Sequence, residues 1–146
     1  MAQGTDELLP EPSRGGGPGV KDEAALFLRK AGHALRAAEM LLAANDPETA
    51  VGRAYYCMLH TAQALLREQN IRFRKHSSVH SAFGQHFAKT ALIDPKFHRW
   101  LLDSSDDRIR GDYDTECVIE EESASLRIEQ AKEFLQTARQ WLEVQK

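Results

Sequence analysis

Asp107-Arg108-Ile109-Arg110-Gly111-Asp112-Tyr113-Asp114 places two arginines, three acids and a tyrosine where an amphipathic helix is running out. A guanidinium matches phosphate or carboxylate oxygens bidentately, so this composition suits an anionic ligand, with the acids and the phenol as candidate proton handlers. Arg53-Ala54-Tyr55-Tyr56-Cys57-Met58-Leu59-His60 repeats the mixture of cation, phenol and imidazole near the start of another long helix. Together the two segments are expected to form one polar groove. Local pairing is the competing reading, because Arg108 with Asp112 and Arg110 with Asp114 stand at i,i+4. On an ideal helix Arg108 and Tyr113 lie about 140° apart, so both reach one ligand only if Gly111 unwinds or ends the helix.

Other residues carry weaker signals. Tyr55 falls on an apolar stripe and reads as core, whereas Tyr56 shares a face with His60 and reads as a ligand contact. His76 and His80 have the one-turn spacing of zinc helices, but no Glu follows His76 and no third ligand is evident. Arg72, Phe73, Arg74 and Lys75 suit phosphate contacts with a stacking ring among them, or equally a solvated basic turn.

These side chains are positioned by helices. Phe27, Ala31, Ala34, Ala38 and Leu41 step by four and three, with Leu28, Leu35 and Leu42 widening the stripe, until Asn45-Asp46-Pro47 breaks it. Asp46 as N-cap with Pro47 at the first position opens a second helix to about Asn70. Its apolar face is Val51, Tyr55, Met58, Leu59, Ala62, Leu65 and Leu66, and a second stripe carries Arg53, Tyr56, His60, Gln63 and Arg67. Ser77 or Ser78 caps a shorter helix through about Thr90, bearing Val79, Phe83 and Phe87. Asp94-Pro95 repeats the cap-plus-proline signal before Phe97, Trp100 and Leu101. Glu120-Glu121-Glu122 favour the positive end of a last helix, whose stripe is Ala124, Ile128, Ala131, Leu135, Ala138 and Leu142. No segment alternates with a period of two. The expected fold is all-α, an up-and-down bundle of four main helices plus one short helix.

The totals agree with one globular domain. Of 146 residues, 42% are hydrophobic and 28% charged, which excludes disorder throughout. Residues 1–19 hold Pro10, Pro12, Pro18 and Gly15-Gly16-Gly17 and read as a flexible tail, leaving residues 20–146 as the domain. Cys57 and Cys117 form no metal or disulfide framework, no apolar run approaches a bilayer span, and Met1 to Val20 lacks a signal peptide's apolar core. A soluble cytoplasmic protein without membrane contact is expected. The net charge of −3 is unevenly spread: residues 51–100 carry 8 Lys/Arg against 2 Asp/Glu, whereas residues 101–146 carry 6 against 12. That split suits a basic face for phosphates, opposed faces meeting between subunits, or ordinary solvated helix surfaces.

Arg53-x-Tyr55-Tyr56, Leu65-Leu66, the Lys75-His76-Ser77 turn, Phe83-Gly84-x-x-Phe87 and Arg108-x-x-Gly111-Asp112-Tyr113-Asp114 occur in this order. Across about residues 22 to 143 they resemble the small stand-alone HEPN proteins. The resemblance implies a helical bundle that pairs as a homodimer. It also implies a nucleotidyltransferase partner encoded nearby, the two forming a toxin–antitoxin-like system. Many such proteins are metal-independent endoribonucleases, so no metal and no cofactor are expected. Their signature is an arginine followed after four to six residues by histidine; Arg108 matches the arginine, and Tyr113 stands where the histidine belongs. A phenol ordinarily holds its proton to about pH 10 and shuttles it poorly at neutral pH compared with imidazole. The favoured reading is therefore a module that binds RNA or nucleotide, a nucleotidyltransferase, or both, through the Arg/Tyr groove. The alternative is an endoribonuclease toxin with a divergent Arg-x4-Tyr motif. On that alternative Arg108, Asp112, Tyr113 and His60 are the catalytic candidates. Arg53, Tyr56 and Arg110 are the phosphate- or nucleotide-binding candidates, and Arg72, Phe73, Arg74, Lys75 and His76 the RNA contacts. The resemblance also makes Tyr113 a candidate acceptor for adenylylation by the partner.

Overall fold

The apolar stripes close around one central helix. In the computed structural model, which describes residues 20–145, the helices are α1 (Val20–Ala43), α2 (Pro47–Glu68), α3 (His76–Phe83), α4 (Lys96–Tyr113) and α5 (Glu121–Val144). The tail expected over residues 1–19 lies outside the described residues. α2 is the hub and packs against each of the other four. Accordingly its burial exceeds one face: Ala50, Val51, Ala54, Tyr55, Cys57, Met58, Leu59, Thr61, Ala62, Ala64, Leu65 and Leu66 are all enclosed. The expected stripe of α5 is buried throughout, with Phe134 beside it.

The junctions explain the topology. Asp46 Oδ1 accepts the Thr49 amide at 3.2 Å, with Pro47 following as the helix opens. α1 ends with Asn45 in the left-handed region, where the Asp46 amide donates to the Leu41 carbonyl at 2.9 Å and the Asn45 amide to that of Leu42 at 3.0 Å. So short a link makes α1 and α2 an antiparallel hairpin. Asn70 ends α2 by the same device, through Ile71 to Leu66 at 2.9 Å.

Two elements depart from the sequence expectation. α3 begins at His76 after an extended Lys75 that makes no side-chain cap, so neither Ser77 nor Ser78 is the N-cap. It then widens into a π-helical turn over Gly84–Ala88. Gly84 is required there by close approach: a Cβ would stand 2.6 Å from His98 Nε2 of α4. His98 Nε2 in turn donates to the His80 carbonyl at 3.1 Å, locking α4 to α3. The second departure is Gly111, which neither ends nor unwinds α4. The helix runs on to Tyr113, with Gly111 seated against Glu48 and Ile119.

Candidate functional site

α2, the start of α3 and the second half of α4 enclose a cleft of about 570 Å³. Arg108 and Ser105 line it from α4, Tyr55 from α2, and Lys75, His76 and His80 from α3 and its approach. Arg108 is the central cation. Its guanidinium lies 5.0 Å from the Tyr55 ring centre and 5.6 Å from that of Tyr56, and its side chain is only 22% exposed. Its polar contacts are long: 3.5 Å to the Tyr56 hydroxyl and 3.7 Å to Asp112 Oδ2, while Nε is buried without an acceptor. Arg53 stacks on the same Tyr56 ring at 5.0 Å, so both expected guanidiniums gather at one phenol.

Tyr55 is fully buried, as its place on the apolar stripe implies, but its hydroxyl reaches the cleft wall and meets His80 Nε2 at 2.8 Å. Burial lifts the Tyr55 phenol up to about 12 against the opposing pull of Arg108. Burial, followed by the neighbouring His76, His98 and Arg108, holds His80 down to about 4. A protonated phenol therefore donates to a neutral imidazole. Burial also lowers His76, helped by Arg108 and His60.

This arrangement has an acid limb. Folded His80 takes up a proton near pH 4, whereas the unfolded side chain does so near 6.5, so the unfolded state binds more protons between these values. Stability falls as pH drops from about 6.5 to about 4, by roughly 1 to 2 kcal/mol for His80 once solvent screening on its cleft side is allowed for. Wild type should thus lose more Tm than His80→Gln between pH 7 and pH 5. Parallel losses would remove the assignment.

The remaining candidates disperse. His60 stacks near Phe27 of α1, its Nδ1 meets Gln63 Oε1 at 3.0 Å, and it does not line the cleft. Burial, partly countered by Gln63, lowers its pKa. The second stripe of α2 therefore divides: Arg53 and Tyr56 gather with Arg108, whereas His60 and Arg67 pack against Phe27 of α1. Arg67 and Arg72 both bind Glu23 Oε1, at 2.8 and 2.9 Å, so Arg72 is engaged on the α1 side. Arg110 turns towards α5 and binds Asp107 Oδ1 at 2.7 Å. Tyr113 projects into solvent with 80% exposure, and Asp112 reaches Arg108 only at 3.7 Å. Phe73 packs partly against the core and lines a smaller neighbouring cavity, which shares Ser77 with the main cleft. Arg74 and Lys75 line the main cleft with His76.

The sequence reading gave no part in the cleft to three groups: His80, weighed only with His76 as a zinc-spaced pair, Ser105, and the hydroxyl of Tyr55, read as core. A signal existed for two of them: Ser105 lies three residues before Arg108, and His80 four after His76, each pair on one helix face.

Comparison with known proteins gives a consistent set. The HEPN domain model matches residues 24–144. Over 119 residues the chain is 34% identical to the UPF0332 protein glr0978 of Gloeobacter violaceus, covering 80% of this chain and 93% of that protein. It is 33% identical over 107 residues to a Methanocaldococcus jannaschii protein that bears the name "Putative toxin MJ0605", covering 73% of this chain and 80% of that one. A UPF0332 protein of Thermotoga maritima is 31% identical over 115 residues, 79% and 87% of the two chains. Among the described residues no helix is long and apolar enough to cross a membrane.

Proposed function

Because this chain belongs to the HEPN domain family, we propose that it is the HEPN component of a toxin–antitoxin-like pair and binds the phosphates of RNA or of a nucleotide in the Arg108 cleft. The observation that carries this reading is the state of Arg108. Arg67, Arg72, Arg110 and Arg127 each hold a carboxylate oxygen at 2.6 to 2.9 Å, whereas the nearest acceptors of Arg108 stand at 3.5 and 3.7 Å. A largely enclosed guanidinium with so few short bonds is prepared for an anion that supplies them. Relatives bearing the names "Putative toxin MJ0605" and "Putative toxin MJ0142" support the toxin-like role, and the homodimer and the nucleotidyltransferase partner encoded nearby are what the resemblance to the stand-alone HEPN proteins implies. Co-purification with the product of the adjacent gene tests the partner.

Arg108→Ala should weaken binding of a 2′-O-methylated single-stranded RNA about 10- to 100-fold in fluorescence anisotropy, the worth of a charge-assisted hydrogen-bond pair. Arg110→Ala, occupied elsewhere, should change it by less than about threefold. Equal losses for both would remove Arg108 from the site.

RNA cleavage is the second reading, favoured by one observation: the cleft holds two imidazoles beside Arg108, the residue type that position 113 lacks. It predicts growth arrest on expression and RNA cleavage that resists EDTA. Cleavage undiminished in Arg108→Ala would refute it.

A further inference from the structure

Two histidines, His76 and His80, line the cleft and two more, His60 and His98, stand outside its lining; protein groups hold three of the four. His80 Nε2 meets the Tyr55 hydroxyl at 2.8 Å, His60 Nδ1 meets Gln63 Oε1 at 3.0 Å, and His98 Nε2 is held by the His80 carbonyl at 3.1 Å. His76 differs. It lines the same cleft as Arg108, its ring packs 6.0 Å from that of Tyr55 and 5.7 Å from that of Tyr56, and neither ring nitrogen has a hydrogen-bond partner among the described residues. The two phenol rings orient it without using its nitrogens. Its place at the first position of α3, ahead of the tie between His98 and His80, fixes it to a rigid element.

We propose that His76 is the general base of an RNA-cleaving activity in this cleft, taking from α3 the task that a histidine on α4 does not perform here. The proposal rests on the phosphate-binding reading of Arg108. In the step, a ribose 2′-oxygen bonds to the adjacent phosphorus as its proton passes to a His76 ring nitrogen. The P–O5′ bond breaks, and the 5′-oxygen leaves with its electron pair and takes a proton from water. The hydroxide left behind recovers the proton from the His76 imidazolium. The products are a 2′,3′-cyclic phosphate and a 5′-hydroxyl, with no oxidant, reductant or metal consumed. Arg108 lies against the departing charge as it builds on the phosphoryl oxygens. A lowered pKa keeps His76 neutral at pH 7, the form that accepts a proton.

The test uses the full chain with bulk tRNA and a mixed-sequence single-stranded RNA as cleavage substrates, and 2′-O-methylated RNA as the binding probe. Wild type should yield 2′,3′-cyclic phosphate ends in EDTA. His76→Ala and His76→Gln should each lose at least about a hundredfold in cleavage rate, lose no more than about tenfold in binding, the share of one lining side chain, and keep a cooperative melt. Free imidazole should restore part of the His76→Ala rate, a rescue that a structural defect does not show. His33→Gln, on the exposed face of α1, should cut as wild type does. Undiminished cleavage in either His76 variant would overturn the proposal, as would loss without imidazole rescue or a wild type that binds RNA but cuts neither substrate. In the last case the phosphate-binding reading stands; loss of binding in the wild type itself ends both.

Discussion

Phe134→Ala should destabilise the protein by about 4 kcal/mol in urea unfolding, the range for emptying a fully packed aromatic site. Phe134 is completely buried, stacks on Phe97 at 5.0 Å and 13°, and meets Phe83 at 5.4 Å. It is where α5 grips both α3 and α4, and Phe83 continues the row to Phe87 at 5.5 Å and on to Trp141. Aromatic rings in this arrangement lose contacts on both faces when one is removed, and a rigid bundle does not close the gap. Tm should fall by about 10 to 15 °C for a chain of this size. Leu126→Ala, half exposed on the same helix, should cost less than about 0.5 kcal/mol. A loss below about 1.5 kcal/mol for Phe134→Ala would show that the cluster collapses on itself, and that α3 is held by other means.

Asp107→Ala should cost about 3 kcal/mol or more, although it removes only one small surface-adjacent side chain. The Asp107 carboxylate is 9% exposed and serves two cations, Arg127 Nε at 2.6 Å and Arg110 at 2.7 Å. Arg127 is itself only 16% exposed, so removing the acid strands a shielded guanidinium whose other acceptor is the neutral Gln130 at 3.1 Å. Most of the loss arises from that uncompensated charge, so Asp107→Ala combined with Arg127→Ala should be less damaging than the sum of the two. Strict additivity in a double-mutant cycle would show that the pair is uncoupled. Arg110→Ala should cost little, since its side chain is 61% exposed.

The helical framework was legible because each helix writes its burial into steps of three and four. The stripes of α2 and α5 reappear residue for residue in the core, and Asp46-Pro47 opens α2 by the chemistry its sequence announces. Asp94 likewise accepts the Lys96 amide at 3.0 Å as α4 begins. What periodicity did not carry was the partner of each charged group. Arg72 read as available to a phosphate because Glu23 lies 49 residues earlier, and no local pattern links them. Arg110 stood at i,i+4 from Asp114 and chose Asp107, three residues back, because that carboxylate was already positioned by Arg127. Gly111 carried a helix-ending signal that packing against Glu48 and Ile119 overrides. The cleft itself is assembled by docking α3 against α4 through the Gly84–His98 approach, a contact between segments that no spacing rule connects.

One carboxylate oxygen on α1 has an influence out of proportion to its position. Glu23 Oε1 holds the last turn of α2 through Arg67 and, through Arg72, the strand of chain that leads to Lys75 and His76. α1 gives no side chain to the cleft wall, yet this pin sets where the basic lip of the cleft begins. Glu23→Ala would remove the one carboxylate oxygen that Arg67 and Arg72 share. The rim of the Arg108 cleft is thus tied to the first described turn of the chain, a remote influence that substitutions near Arg108 alone would never uncover.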